Sequence, residues 1–138
     1  KFSSALKELN ISHEIVGYCE IDKYASTAFS VIHNVSEGLN DWDITKVNPN
    51  TLPKFDIFTH GSPCTSFSRA GKEDGADKGS GTESSLIWHS IEIIKIKKPK
   101  YVLWENVSDV LSNKHIHNFN EYIDELNNLG YNSYYKVI

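Results

Sequence analysis

Two short apolar runs, residues 55–60 and residues 100–104, flank a helical stripe, and this order constrains the fold more than any other feature. A strand, a helix and a second strand in succession imply a crossover, which joins parallel neighbours in one sheet. Continuous apolar runs of this length suit strands buried on both faces of such a sheet. The stripe between them covers residues 85–97, where Leu86, Ile87, Ser90, Ile93 and Ile94 share one helical face.

The same alternation extends along the chain. Residues 2–9 read as an amphipathic helix and residues 14–21 as a strand with β-branched and alternating apolar positions. Tyr24, Ala25, Ala28, Phe29 and Ile32 mark a helix over residues 23–33. Residues 34–50 read as loop, with a short strand expected at 42–45. Residues 69–83, rich in Gly, Asp, Lys and Ser, read as a long mobile loop. A helix over 116–129 stops at Gly130, a natural C-terminal cap, and the aromatic stretch 131–138 reads as a strand. The fold class expected is α/β: a Rossmann-like, doubly wound, mostly parallel sheet with helices on both faces.

Composition narrows the function. The chain has 138 residues, 39% hydrophobic and 23% charged, which suits one soluble globular domain. It has no apolar run near the roughly 20 residues that span a bilayer, and no signal-peptide pattern. Two cysteines without a Cys-x-x-Cys spacing point to a reducing cytoplasm. A formal charge of −4 argues against a free-standing nucleic-acid binder, so any DNA contact is local or comes from elsewhere.

In a doubly wound sheet the chemistry lies beyond the carboxyl ends of the strands. Three polar clusters fall at such ends: Glu20 with Asp22, Pro63 with Cys64, and Glu105 with Asn106. A lone cysteine is most often a small buried hydrophobe, and Cys19, inside a strand pattern, fits that reading. Cys64 does not: it follows Gly61-Ser62-Pro63 where a strand ends and opens the turn Thr65-Ser66-Phe67-Ser68. A thiol placed there is accessible and open to activation. Glu105, directly after Tyr101-Val102-Leu103-Trp104, is either a turn or helix cap or an acid poised at the same rim. Glu20 is either a solvated loop acid or, as at the end of a second Rossmann strand, an acceptor for ribose hydroxyls. His115 and His117 lack carboxylate or thiol partners at ligand spacing, so no metal site is expected.

Gly61-Ser62-Pro63-Cys64-Thr65-Ser66-Phe67-Ser68, then Gly71, then Glu105-Asn106-Val107, resemble the cytosine-5 DNA methyltransferases, of restriction-modification or phage type. Glu20-x-Asp22 resembles that family's ribose motif, Asp43-Ile44 its adenine-contacting motif, and Ser84-Ser85-Leu86 a further cofactor-side segment. The resemblance covers essentially the whole chain. It implies S-adenosyl-L-methionine as cofactor, DNA with a flipped cytosine as partner, Cys64 as nucleophile and Glu105 as acid. It further implies that Glu20 holds the ribose, Ile21 and Ile44 surround the adenine, and Asp43 meets its amino group. Pro63 and Leu86 would line the cofactor site, with Ser66, Ser68, Asn106 and Val107 around the base pocket and its loop.

In the chemistry this implies, a thiolate adds to carbon 6 of cytosine while the acid interacts at ring nitrogen 3. Carbon 5 then takes the methyl group, and loss of its proton expels the thiol. Both reacting atoms lie inside the duplex, so the base is flipped out, and the loop after Cys64 closes over it. Thr65 stands where the family usually has Gln. The family's Phe-x-Gly-x-Gly turn, its Gln-x-Arg-x-Arg motif and its target recognition domain are absent. The expectation is therefore that residues 1–138 are a partial catalytic and cofactor-binding domain, cut at both ends and inactive alone. The strand that would lie between residues 15–20 and 55–60 is missing, so the isolated piece is expected to self-associate. Two other readings fit these residues: a tRNA cytosine-5 methyltransferase with the same catalytic pair, and a non-catalytic module keeping the shape of the cofactor domain.

Overall fold

The computed structural model describes residues 2–61 and 86–138; the expected loop and the segment carrying Pro63, Cys64, Ser66 and Ser68 lie outside them. The chain divides into two compact units, Lys1–Phe55 and Asp56–Ile138. No described helix is long and apolar enough to cross a membrane.

The second unit contains the parallel pair. Strands β1 (Ile57–His60) and β2 (Tyr101–Trp104) are hydrogen-bonded in parallel, with Ile57 opposite Tyr101 and His60 opposite Trp104. Between them in the chain lies a helix, Ile87–Lys97, which makes the connection a crossover as the sequence order requires. Phe58, His60, Val102 and Trp104 alternate with Ile57, Thr59, Tyr101 and Leu103, so the two sets point to opposite faces.

Phe58, Val102 and Trp104 pack against a core built from the helix Ile87–Lys97 and from Ile116–Asn128. Its buried members are Ile87, Trp88, Ile91, Ile94, Val110, Phe119, Tyr122 and Leu126. The opposite face carries exposed Ile57, Tyr101 and Leu103, so among the described residues helices of this unit cover one face of the pair. The expected strand over 131–138 does not form. Tyr131 is tied by its hydroxyl to the Pro99 carbonyl and Tyr135 packs edge-on against Phe119, while Tyr134 and Val137 stay exposed with no neighbouring strand among the described residues.

Helix ends follow local rules. Gly130 adopts φ +92°; its N–H donates to the Asn127 carbonyl, and the Tyr131 N–H donates to that of Leu126. This is the Schellman closure anticipated from Gly130. In the first unit, Asn10 and Asn34 take the same left-handed position after the helices Phe2–Glu8 and Lys23–His33. Asp22 caps the second of these through its carboxylate and the Ala25 N–H.

Two expectations fail in the first unit. Residues 14–21 form only an isolated parallel bridge, Tyr18 with Asn40. Residues 42–45 form no strand because Trp42 sits at φ +59° and the chain coils into the short 3₁₀ turn Ile44–Lys46. In order of appearance the regular helices are α1 (Phe2–Glu8), α2 (Lys23–His33), α3 (Ile87–Lys97) and α4 (Ile116–Asn128).

Candidate active site

Glu20 owes its position to a buried asparagine. The Tyr18 N–H donates to the Leu39 carbonyl (3.0 Å) and the Asp41 N–H to the Tyr18 carbonyl (2.9 Å). One step further on, the Asn40 side chain replaces the backbone. The Glu20 N–H donates to Asn40 Oδ1 (3.0 Å), and Asn40 Nδ2 donates to the Glu20 carbonyl (2.9 Å). A side-chain amide offers the same donor and acceptor as a peptide, so it continues the ladder for one rung and ends it there. Asn40 also reaches Ser26 Oγ and receives the Trp42 N–H, and Ser26 Oγ bonds the Tyr18 hydroxyl.

With its backbone held, Glu20 accepts the Asp22 N–H through Oε1 (2.9 Å). Its Oε2 has no hydrogen-bond partner among the described residues. Ile21 beside it is 73% exposed, an apolar surface next to a free carboxylate oxygen. Asp43 is differently occupied. Its carboxylate accepts both the Thr45 hydroxyl and N–H and pairs with Lys46 at 3.0 Å. These partners, the Thr45 hydroxyl first and then Lys46, pull its pKa down to about 2. Ile44 follows as the first residue of the 3₁₀ turn.

Cys19 is exposed, contrary to its reading as a buried strand residue; among the described residues, 14–21 pair only through the Tyr18–Asn40 bridge. Partial desolvation of its sulfur, reinforced by the Asp41 and Asp43 carboxylates, pushes its thiol up to about 11. At neutral pH it is a thiol, not a nucleophilic thiolate.

In the second unit the β1–β2 register builds a rim of its own. The Glu105 N–H donates to the His60 carbonyl at 3.1 Å, extending the ladder by one residue past β2. Glu105 itself is exposed, just beyond the carboxyl ends of both strands. Gly61 faces it so closely that a Cβ there would stand 3.4 Å from the Glu105 carbonyl oxygen and 3.5 Å from its Oε2. Asn106 Oδ1 accepts the Val107 N–H at 2.8 Å, and Val107 packs against the core rather than standing free. Leu86, half-buried, immediately precedes α3.

Beneath this rim lie residues not singled out from the sequence. His60 Nε2 and the Tyr122 hydroxyl share a 2.8 Å hydrogen bond. The imidazole lies nearly parallel to the Trp104 ring at 6.3 Å and 11°, and Trp104 packs on Tyr122 at 4.5 Å. Burial pushes His60 down to about 4, so it is neutral at physiological pH. No sequence signal marked it, because a histidine at a strand end is ordinary. Its role depends on Tyr122, far along the chain.

The structure therefore places Glu20, Ile21, Asp43 and Ile44 in one unit and Leu86, Glu105, Asn106 and Val107 in the other. A family model described as C-5 cytosine-specific DNA methylase matches residues 2–138. The chain is similar to the orphan methyltransferase M.SPRI of Bacillus phage SPR, 38% identical over 130 residues, covering 94% of this chain and 29% of that protein. It is similar to the type II methyltransferase M2.ScrFI of Lactococcus lactis subsp. cremoris, 42% identical over 99 residues, 72% of this chain and 28% of that one. The type II methyltransferase M.HaeII of Haemophilus aegyptius is 39% identical over 120 residues, 86% of this chain and 36% of that one. The chain thus spans about a third or less of the length of these relatives.

Proposed function

This chain belongs to the C-5 cytosine-specific DNA methylase family, and we propose that the full-length protein methylates carbon 5 of cytosine in DNA through a covalent Cys64 adduct. Residues 1–138 are then part of the catalytic domain, a portion of a doubly wound sheet, with target recognition supplied by other parts of the protein. The observation that carries this reading is the parallel register of β1 and β2. It sets Gly61 directly against Glu105, and Cys64 follows Gly61 by three residues in the chain.

The Cys64 thiolate adds to carbon 6 of a flipped cytosine, while the Glu105 carboxylic acid donates to ring nitrogen 3. That neutralises the charge developing on the ring and leaves carbon 5 nucleophilic. After methylation, removal of the carbon-5 proton re-forms the double bond and releases the Cys64 thiolate. Burial and the Asp41 and Asp43 carboxylates disfavour the thiolate of Cys19. Pro63, Ser66 and Ser68 are the sequence neighbours of the nucleophile, and Asn106 with Val107 orders the rim behind Glu105.

S-adenosyl-L-methionine supplies the methyl group when bound. The residues present fit it unevenly. Glu20 offers a backbone-anchored carboxylate with one unused oxygen to ribose hydroxyls, and exposed Ile21 offers the adenine an apolar surface, with half-buried Ile44 in the same unit. Asp43 fits less well, because its oxygens already serve Thr45 and Lys46.

The test is transfer of labelled methyl from S-adenosyl-L-methionine by the full-length protein, with duplex DNA and tRNA as parallel substrates. The expected product is 5-methylcytosine in DNA, lost in Cys64→Ala. Methylation of tRNA alone, or full activity of Cys64→Ala on DNA, contradicts the proposal.

A further inference from the structure

The rim residues Gly61 and Glu105 each follow an aromatic strand-end residue, His60 and Trp104, which are paired in register. These two rings stack inside the unit, and among the described residues the hydrogen bond made by this ring pair joins His60 Nε2 and the Tyr122 hydroxyl of α4. Tyr122 is 1% exposed, and its ring packs on both partners, at 5.8 Å from His60 and 4.5 Å from Trp104. One buried hydroxyl therefore fixes the end of β1 to a helix that is also packed on the end of β2. Among the described residues neither His60 Nδ1 nor Trp104 Nε1 has a hydrogen-bond partner. Two buried polar atoms left this way are unfavourable, so packing alone gives no reason for a histidine here in place of a phenylalanine or leucine.

We propose that His60 is a positioning residue of the methyl-transfer site: its bond to Tyr122 and its stack on Trp104 lock the carboxyl ends of β1 and β2 together, holding Gly61 and Glu105 at their spacing. The inference rests on the function proposed above. Neither side chain touches a reacting atom. They act through the ladder bond from the Glu105 N–H to the His60 carbonyl and through the close approach of Gly61 to the Glu105 carboxylate. Displacements of about 1 Å in such a constellation cost rate far more than binding.

Tyr122→Phe keeps the ring, and so the packing, while deleting the hydroxyl. His60→Leu removes the bond from the other side, and His60→Gln keeps an amide able to reach Tyr122. In the full-length protein, each of the first two variants is expected to lower kcat by at least about tenfold. KM for DNA and for cofactor should change less than about twofold, because only the transition-state geometry is affected. The double variant should be no slower than the slower single, since both remove one interaction, and His60→Gln should recover part of the rate. Hydrogen exchange at the Glu105 amide should quicken in Tyr122→Phe.

A lowered melting temperature with unchanged kcat of the folded fraction, or losses that multiply in the double variant, would overturn the proposal and leave the pair as packing. The unaltered protein separates the two levels of argument. If it transfers no methyl to DNA cytosine, the functional reading fails and with it the site; the Glu105 exchange then reports only whether the lock exists. If it is active while the variants match it, only the positioning role fails.

Discussion

In residues 1–55 the buried side chains are Ser26, His33 and Asn40, while Leu9, Ile11, Ile21, Tyr24, Val31 and Ile32 are exposed. Among the described residues of 56–138, an apolar core of Ile87, Trp88, Ile91, Ile93, Ile94, Val110, Phe119, Tyr122 and Leu126 is buried as well, beside Ser90, His115 and Asn118. Burial of apolar area drives folding strongly and without direction, whereas a polar network gives little net stability but fixes geometry. The second unit is therefore held by its core. The first is shaped by hydrogen bonds that aim Glu20, and it should open locally before the second does.

The largest expected contrast comes from one truncation in each unit. Ile94→Ala, at a fully buried position of α3, should cost about 2–5 kcal/mol in denaturant unfolding. Ile32→Ala, at a 67% exposed position of α2, should stay within about 0.5 kcal/mol. Equal costs would erase the distinction between the units.

Acid should act through the second unit. His60 has a folded pKa of about 4 against an ordinary value of 6.5, so the unfolded chain takes up its proton first as pH falls. His60 thus favours folding fully above about pH 6.5, and this contribution is lost progressively as pH falls towards 4, by roughly 3 kcal/mol in all. His60→Phe should flatten that part of the pH–stability curve. An unchanged curve would show that His60 is not buried in solution.

Smaller effects belong to the first unit. Asn40→Ala leaves the Glu20 N–H and carbonyl without their rung and should cost about 1–3 kcal/mol, with faster hydrogen exchange confined to residues 18–42. Asp22→Ala, which removes the cap of α2, should cost about 1 kcal/mol. If Asn40→Ala destabilised the second unit equally, the units would not be independent.

What the sequence made legible includes helices of both units, since α1 and α2 form where residues 2–9 and 23–33 read as helical. β1, α3, β2, α4 and the Gly130 cap all lie in the second unit, where apolar periodicity reports directly on a core. The family signature was legible too, because Pro63-Cys64 and Glu105-Asn106-Val107 are local. The strands expected at 14–21 and 131–138 were misread, since an extended apolar segment becomes a strand only when a neighbour offers a ladder. At 14–21 the neighbour supplies one bridge and then a side chain. Asn40 and His60 went unnoticed because each matters only through a partner distant in sequence, Glu20 and Tyr122. The two-unit division was equally invisible, as no linker composition marks it.

A covalent bond between Cys64 and cytosine would be caught by trapping. The full-length protein is incubated with S-adenosyl-L-methionine and a duplex oligonucleotide containing 5-fluorocytosine, whose fluorine cannot leave as the carbon-5 proton does. The expected result is a denaturation-resistant protein–DNA adduct, mapped by peptide mass spectrometry to Cys64 and absent in Cys64→Ala. Normal turnover of unmodified DNA with no adduct, or an adduct mapped to Cys19, would contradict the account.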